Sequence, residues 1–137
     1  MALTKIPRPA PMGPCTETAQ LAADLMALST SMHKLHLKVN GVGSYAAHKG
    51  LNEFYDEMPD KVDAFVEQYQ GAREKLLDIP ESSIMCNSVQ EALAHMRVMY
   101  ERTTALQALM PFSEVTNQLD EVKSLISSTK YKLMFLS

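Results

Sequence analysis

Apolar residues recur along most of this chain at alternating steps of three and four residues, which is the spacing of one face of an α-helix. The first run of this kind starts at Leu21 and ends at Val39, and the last runs from Val115 to Leu136. No segment shows the convincing alternation of a β-strand. The pattern predicts four helices, at about residues 16–39, 44–77, 89–110 and 113–136.

Polar residues mark the expected starts of these helices. Thr16 and Ser113 are expected to cap the first and fourth helices, and Ser88 with Glu91 has the spacing of a capping box for the third. The sequence Asn-Gly-Val-Gly at 40–43 predicts a tight turn between the first two helices. Four helices of about 20 to 30 residues with short connections favour an antiparallel bundle.

Prolines modify this pattern in two places. Residues 1–15 hold four prolines, which predicts an extended arm ahead of a bundle formed by residues 16–137. Pro59 lies inside the second helix and removes one backbone hydrogen bond, so a kink or a break is expected there. The predicted fold class is therefore all-α: an antiparallel four-helix bundle with an extended N-terminal arm.

Composition narrows the functional classes. The chain has 137 residues and a net charge of -3, so no overall basic field attracts nucleic acid. DNA binding through a few charges per chain of a large assembly is the less favoured interpretation. Cys15 and Cys86 form no paired motif, which favours a reducing cytoplasm. No apolar run reaches the roughly 18 residues of a membrane span, so no membrane partner is expected.

The candidate chemistry begins with two histidines placed symmetrically about the predicted turn. His36 lies six residues before Val42, and His48 lies six residues after it. Residues equally far from a tight turn are neighbours in an antiparallel hairpin, so the two imidazoles are expected to lie side by side, with Asn52 one helical turn beyond. Imidazole nitrogen binds zinc, iron and copper. His33, one turn before His36, is expected to be a partly exposed helix residue.

Two acids continue the same helix face. At about 100° per residue, Asp63 and Glu67 fall within roughly 100° of His48 and Asn52. Such polar faces are most often simply solvated. As metal ligands they pose a problem of reach, because Asn52 and Asp63 are about 16 Å apart along the helix and one ion with bonds near 2 Å cannot touch both. A twofold axis near residues 57 and 58 would bring the histidines of one copy to the acids of another.

The segment LHLKVNGVGSYAAHKGLNEFYDEMPDKVDAFVEQ, at 35–68, resembles the signature of the Dps family, the miniferritins of the ferritin-like superfamily. That signature has a histidine, a second histidine 12 residues later, an acid 4 later, an aspartate 11 later and a glutamate 4 later. The matching positions of this chain are His36, His48, Asn52, Asp63 and Glu67. The chain is most similar to the short Dps-like proteins that phage genomes carry.

This resemblance implies an iron-handling function. His36, His48, Asp63 and Glu67 would form a ferroxidase site between subunits, with Asn52 as a weak ligand or a hydrogen-bond donor. Fe(II) would be oxidised there by peroxide or oxygen, and ferric iron would be stored in a hollow shell built from twofold dimers. Dimer and dodecamer both fit the sequence. Iron is the implied metal, and zinc is the alternative for the same donors.

The chain departs from the family pattern, and the change at Asn52, the short loop after the second helix and the proline-rich arm favour a second hypothesis. Asn52 stands where the family has an acid, so each site loses one carboxylate. Leu37 replaces the tryptophan that usually follows the first histidine, and the loop after the second helix is too short for the small extra helix of Dps proteins. The alternative is a ferritin-like structural or assembly protein with a degenerate or non-iron metal site and no ferroxidase activity.

Overall fold

A computed structural model gives the fold of residues 13–136. This range contains four helices and no strand, which confirms the predicted all-α class. The helices are α1 (Pro14–His36), α2 (Ser44–Arg73), α3 (Val89–Leu109) and α4 (Ser113–Phe135). Most of the predicted arm at 1–15 lies outside the described residues, and the bundle begins at Pro14 rather than at residue 16.

Two of the predicted helix caps were wrong. Helix α1 begins after Gly13, with Pro14 at the first helical position, where its missing N–H breaks no helical hydrogen bond. Thr16 is therefore already inside the helix. Helix α4 begins one residue earlier than expected, with Phe112 at the N-cap position, so Ser113 is its first helical residue and does not cap it.

The cap predicted for α3 was right. Ser88 is the N-cap residue, and its hydroxyl accepts a hydrogen bond from the backbone N–H of Glu91 at 3.1 Å. The Glu91 carboxylate accepts a hydrogen bond from the backbone N–H of Asn87 at 2.9 Å, whereas in a standard capping box it would accept from the N-cap residue itself. Two N–H groups at the start of α3 thus have side-chain partners.

The turn between α1 and α2 requires glycine. Gly41 and Gly43 have φ angles of 91° and 81°, in the left-handed region that a Cβ atom disfavours. Helix α1 ends at His36, so the connection spans residues 37–43 and begins before Asn40. The predicted tight hairpin is confirmed, and it sets α1 antiparallel to α2.

Helix α2 runs without interruption through Pro59, so there is no break, and the alternative of a kink stays a prediction. Pro59 is exposed, whereas Met58 and Val62 beside it are buried in the core. Packing of both halves against the same core outweighs the one backbone hydrogen bond that proline removes.

The helices pack in the cyclic order α1, α2, α4, α3, and each is antiparallel to both neighbours. In an antiparallel pair, residue numbers rise along one helix as they fall along the other. Helices α2 and α4 show this in the contacts Gly50–Leu133 and Lys61–Glu121. Helix α1 shows it against α3 and the residues before it, in the contacts Ser31–Cys86 and Asp24–Arg102. Helices α2 and α3 are therefore parallel and lie at opposite corners of the bundle.

The connection from α2 to α3 is a long crossover. Residues 74–88 contain no helix and must travel the length of the bundle, so the prediction of short connections was wrong here. Gln70 accepts a hydrogen bond from the Leu77 N–H at 2.9 Å, and Ser31 accepts one from the Cys86 N–H at 2.7 Å. The bundle therefore has one long crossover and two short connections.

All four helices contribute to a single apolar core. Its largest fully buried side chains are Phe54, Phe65, Leu21, Leu25, Leu28, Met32, Leu51, Met58, Met96, Met99, Leu106 and Leu119. All of them except Met99 and Leu106 of α3 lie on the predicted helix faces. Between Pro14 and Phe135, no helix combines the length and apolar character that crossing a bilayer would need.

Replacement of Phe65 by alanine tests the core. Phe65 is 0% exposed, so Phe65→Ala is expected to lower the free energy of unfolding by about 3–5 kcal/mol through lost burial and a new cavity. Phe135→Ala is the matched control, because Phe135 is 69% exposed and its loss should change the stability by no more than about 0.5 kcal/mol. Urea denaturation measures both, and equal effects would contradict the assigned core.

Candidate metal centre

His36 and His48 lie side by side where α1 meets α2, as predicted. Their ring centroids are 3.9 Å apart and the ring planes differ by 24°. The Nδ1 of His48 lies 2.9 Å from the backbone oxygen of His36, and the Nδ1 of His36 lies 3.3 Å from the backbone oxygen of His48. A carbonyl oxygen only accepts hydrogen bonds, so each Nδ1 donates, and a neutral ring then keeps its Nε2 lone pair for another partner.

The structure adds Tyr55 to this pair. Its hydroxyl oxygen lies 3.1 Å from His36 Nε2 and 3.0 Å from Asn52 Oδ1. The ring of His33 stacks on the Tyr55 ring, with centroids 3.8 Å apart and planes within 5°. Tyr55 lies among the apolar and aromatic residues of the α2 pattern, Leu51, Phe54 and Met58, which predicts a core position, but it is only half-buried. Its spacing, seven residues after His48, was the signal that could have placed it at the site.

Asn52 has a fixed orientation at this site. Its amide nitrogen donates a hydrogen bond to the Asp56 carboxylate at 2.7 Å. The amide oxygen consequently points to the Tyr55 hydroxyl rather than to Asp56, where two oxygens would repel each other. Asn52 therefore presents an oxygen lone pair on the same side as the histidines.

Asp63 and Glu67 do not join this cluster within one chain. Both are exposed on α2, and the helix rise places Asp63 about 16 Å beyond Asn52. Across residues 13–136, neither carboxylate takes part in an ion pair. The same range holds no group of three or more His, Cys, Asp and Glu side chains that could bind a metal ion. A single chain thus brings His36, His48 and Asn52 together and leaves the two acids apart.

The fourth histidine, His95, and the two cysteines have structural partners. His95 Nε2 donates to the backbone oxygen of Met85 at 3.0 Å and so ties the crossover to α3. Cys86 is buried against Ser31, and this burial raises the pKa of its thiol. Cys15 is exposed, with the guanidinium of Arg73 donating to its sulfur at 2.9 Å.

The two thiols should differ in reactivity. A raised pKa means less thiolate at any given pH, and Cys86 is also shielded from solvent, so only Cys15 should react promptly with a thiol reagent in the folded protein at pH 8. Cys86 should react only after denaturation. A reagent that releases a coloured thiolate measures both phases, and Cys15→Ser should abolish the fast one. Two equally fast thiols would show that Cys86 is not buried.

The stacked histidines should be energetically coupled. A double-mutant cycle on His36→Ala and His48→Ala is expected to give a coupling free energy of about 0.5–1.5 kcal/mol, because each change removes both the ring contact and a hydrogen bond. A cycle on His48→Ala and His95→Ala is the control and should be additive within about 0.5 kcal/mol. Denaturation curves of the variants measure both, and additive behaviour of the first pair would contradict the observed contact.

Comparisons with known proteins give this chain a family and a phage relative. An uncharacterized 14.6 kDa protein in the mobD-ri intergenic region of Enterobacteria phage T4 is 27% identical over 111 residues, which are 80% of this chain and 81% of the phage protein. A family model described as a family of unknown function, DUF5856, matches residues 36–133, a range that includes all five predicted site residues. The chain therefore belongs to the DUF5856 family.

Proposed function

We propose that this chain is a subunit of a Dps-like miniferritin, which binds and oxidises Fe(II) between two copies and stores the ferric product. The observation that carries the proposal is the contact between His36 and His48, two imidazoles whose Nδ1 atoms are both occupied by backbone carbonyls. This arrangement leaves the Nε2 atom of each neutral ring available as a metal ligand.

The half-site needs anionic ligands from elsewhere. Two imidazoles and one amide oxygen carry no negative charge, whereas Fe(III) is stabilised by carboxylates. Asp63 and Glu67 are exposed on the same helix and are free to meet another molecule. An isologous dimer with antiparallel α2 helices would supply them to the partner's histidines and would form two equivalent sites.

Electrostatics favours cations in such a dimer. The exposed residues of α2 include a run of acids around the proposed axis: Asp56, Glu57, Asp60, Asp63 and Glu67. Two copies of this run would repel each other across the interface at about 1 kcal/mol or more per close pair. Cations bound at both sites would offset this repulsion, so metal binding and dimer formation should strengthen each other.

The proposed reaction is a balanced electron transfer. Two Fe(II) ions give one electron each to hydrogen peroxide, whose O–O bond breaks and takes up two protons to form two water molecules. With dioxygen as oxidant, the same two electrons yield peroxide. The carboxylates of Asp63 and Glu67 stabilise the added charge on iron more than neutral ligands would. The crossover between α2 and α3 also gives the subunit the connectivity of ferritin-like bundles.

The second candidate is a ferritin-like assembly protein without ferroxidase activity. The observation that favours it is the neutral Asn52, which stands where the Dps signature has an acid. Its amide N–H donates a hydrogen bond to Asp56. Under this hypothesis, dimer formation would not depend on metal. Sedimentation with and without a chelator, together with the metal content of the purified protein, separates the two candidates.

Removal of the acids should abolish rapid iron oxidation. Asp63→Asn and Glu67→Gln keep the side-chain shapes but remove their charges, so each is expected to slow Fe(II) oxidation at least about tenfold. Glu101→Gln, an exposed acid on α3, is the control and should match the parent. The absorbance of the ferric product during peroxide addition measures the rate. If the α2 variants also match the parent, the site assignment fails.

A further inference from the structure

Two atoms with lone pairs, one from α1 and one from α2, converge on the Tyr55 hydroxyl. His36 Nε2 and Asn52 Oδ1 lie 3.1 Å and 3.0 Å from the phenol oxygen. Tyr55 is not among the five residues that match the Dps pattern, and its hydroxyl is the point at which the histidine pair meets the amide. The cluster therefore has a chemistry that the family signature alone does not describe.

With a neutral His36 ring, the cluster places two hydrogen-bond acceptors around the single proton of the Tyr55 hydroxyl. His36 donates its Nδ1 proton to the His48 carbonyl, so the neutral ring offers a lone pair at Nε2. Asn52 offers a lone pair at Oδ1, because its N–H group is directed to Asp56. The phenol has one proton for these two acceptors. A cation that replaced this proton would meet one nitrogen and two oxygens at the same point.

Two of the separations among these three atoms are compatible with ligands of one metal ion. Neighbouring ligands of a six-coordinate ion with bonds of about 2.1 Å are about 3.0 Å apart. The separations of 3.1 Å and 3.0 Å from the Tyr55 oxygen match that value. The stacked ring of His33, 3.8 Å away, holds the phenol in this position. The site is therefore preorganised without a large movement of the Tyr55 ring.

We propose that Tyr55 is a ligand of the metal site and that its oxygen takes the place of the carboxylate lost at Asn52. This inference rests on the proposed function, since it assigns a further ligand to the same site. On binding Fe(III), the phenol releases its proton to solvent and the phenolate oxygen bonds to the metal, so one negative charge is restored. Phenolate is an established iron ligand in proteins, and it favours the ferric state.

Visible spectroscopy tests this assignment directly. The full-length protein is loaded with Fe(III) from a nitrilotriacetate complex, and bound iron is measured after gel filtration. The parent is expected to show the visible charge-transfer band of a ferric phenolate. Tyr55→Phe should lack this band and bind Fe(III) at least about tenfold more weakly, the loss expected for one charged ligand. Tyr131→Phe is the control, because Tyr131 is exposed on α4, and it should keep the band.

Other outcomes separate this inference from the proposed function. If the parent binds iron in a manner that His48→Ala abolishes, but has no visible band or keeps it in Tyr55→Phe, Tyr55 is not a ligand and the proposed function stands. If the parent binds no iron that depends on His48, both proposals are overturned. Helix content from circular dichroism confirms that Tyr55→Phe is folded, since the substitution keeps the aromatic ring.

Discussion

The length and continuity of α2 constrain every part of this account. The helix is unbroken from Ser44 to Arg73, so it holds Asn52 and Asp63 about 16 Å apart and no side-chain rearrangement can bring them together. A metal ion accepts ligands only at about 2 Å. The proposed metal site is therefore incomplete within one chain, and in the proposed dimer a second copy related by a twofold axis would supply the missing ligands. Pro59, which the sequence marks as a weak point, does not interrupt the helix.

The hairpin that precedes α2 explains why the histidines meet. Gly41 and Gly43 adopt backbone conformations that other residues disfavour, and they reverse the chain within a few residues. Equal spacing from this turn brings His36 and His48 into contact, and the Nδ1 of each ring donates a hydrogen bond to the backbone oxygen of the other histidine. This part of the site was predictable from sequence, because it depends only on local turn geometry and helical periodicity. The helix count and the apolar faces were predictable for the same reason.

Other features depend on tertiary packing and were not predictable. The crossover at residues 74–88 depends on which helices pack against each other, and hydrophobic periodicity does not determine helix pairing. The start of α1 is an exception with a local cause, because Pro14 suits the first helical position and begins the helix ahead of Thr16. Periodicity alone places Tyr55 in the core, because an aromatic residue on an amphipathic helix usually packs there. Its contacts with His36 and Asn52 became visible only when both helices were placed.

The most direct test of the shared site is complementation between two inactive variants. One variant carries His36→Ala and His48→Ala, and the other carries Asp63→Asn and Glu67→Gln. When equal amounts are refolded together, about half of the dimers are mixed and each mixed dimer has one intact site, so about one quarter of the parental iron-oxidation activity should return. A mixture as inactive as its separate components would contradict a site built from two copies of this chain.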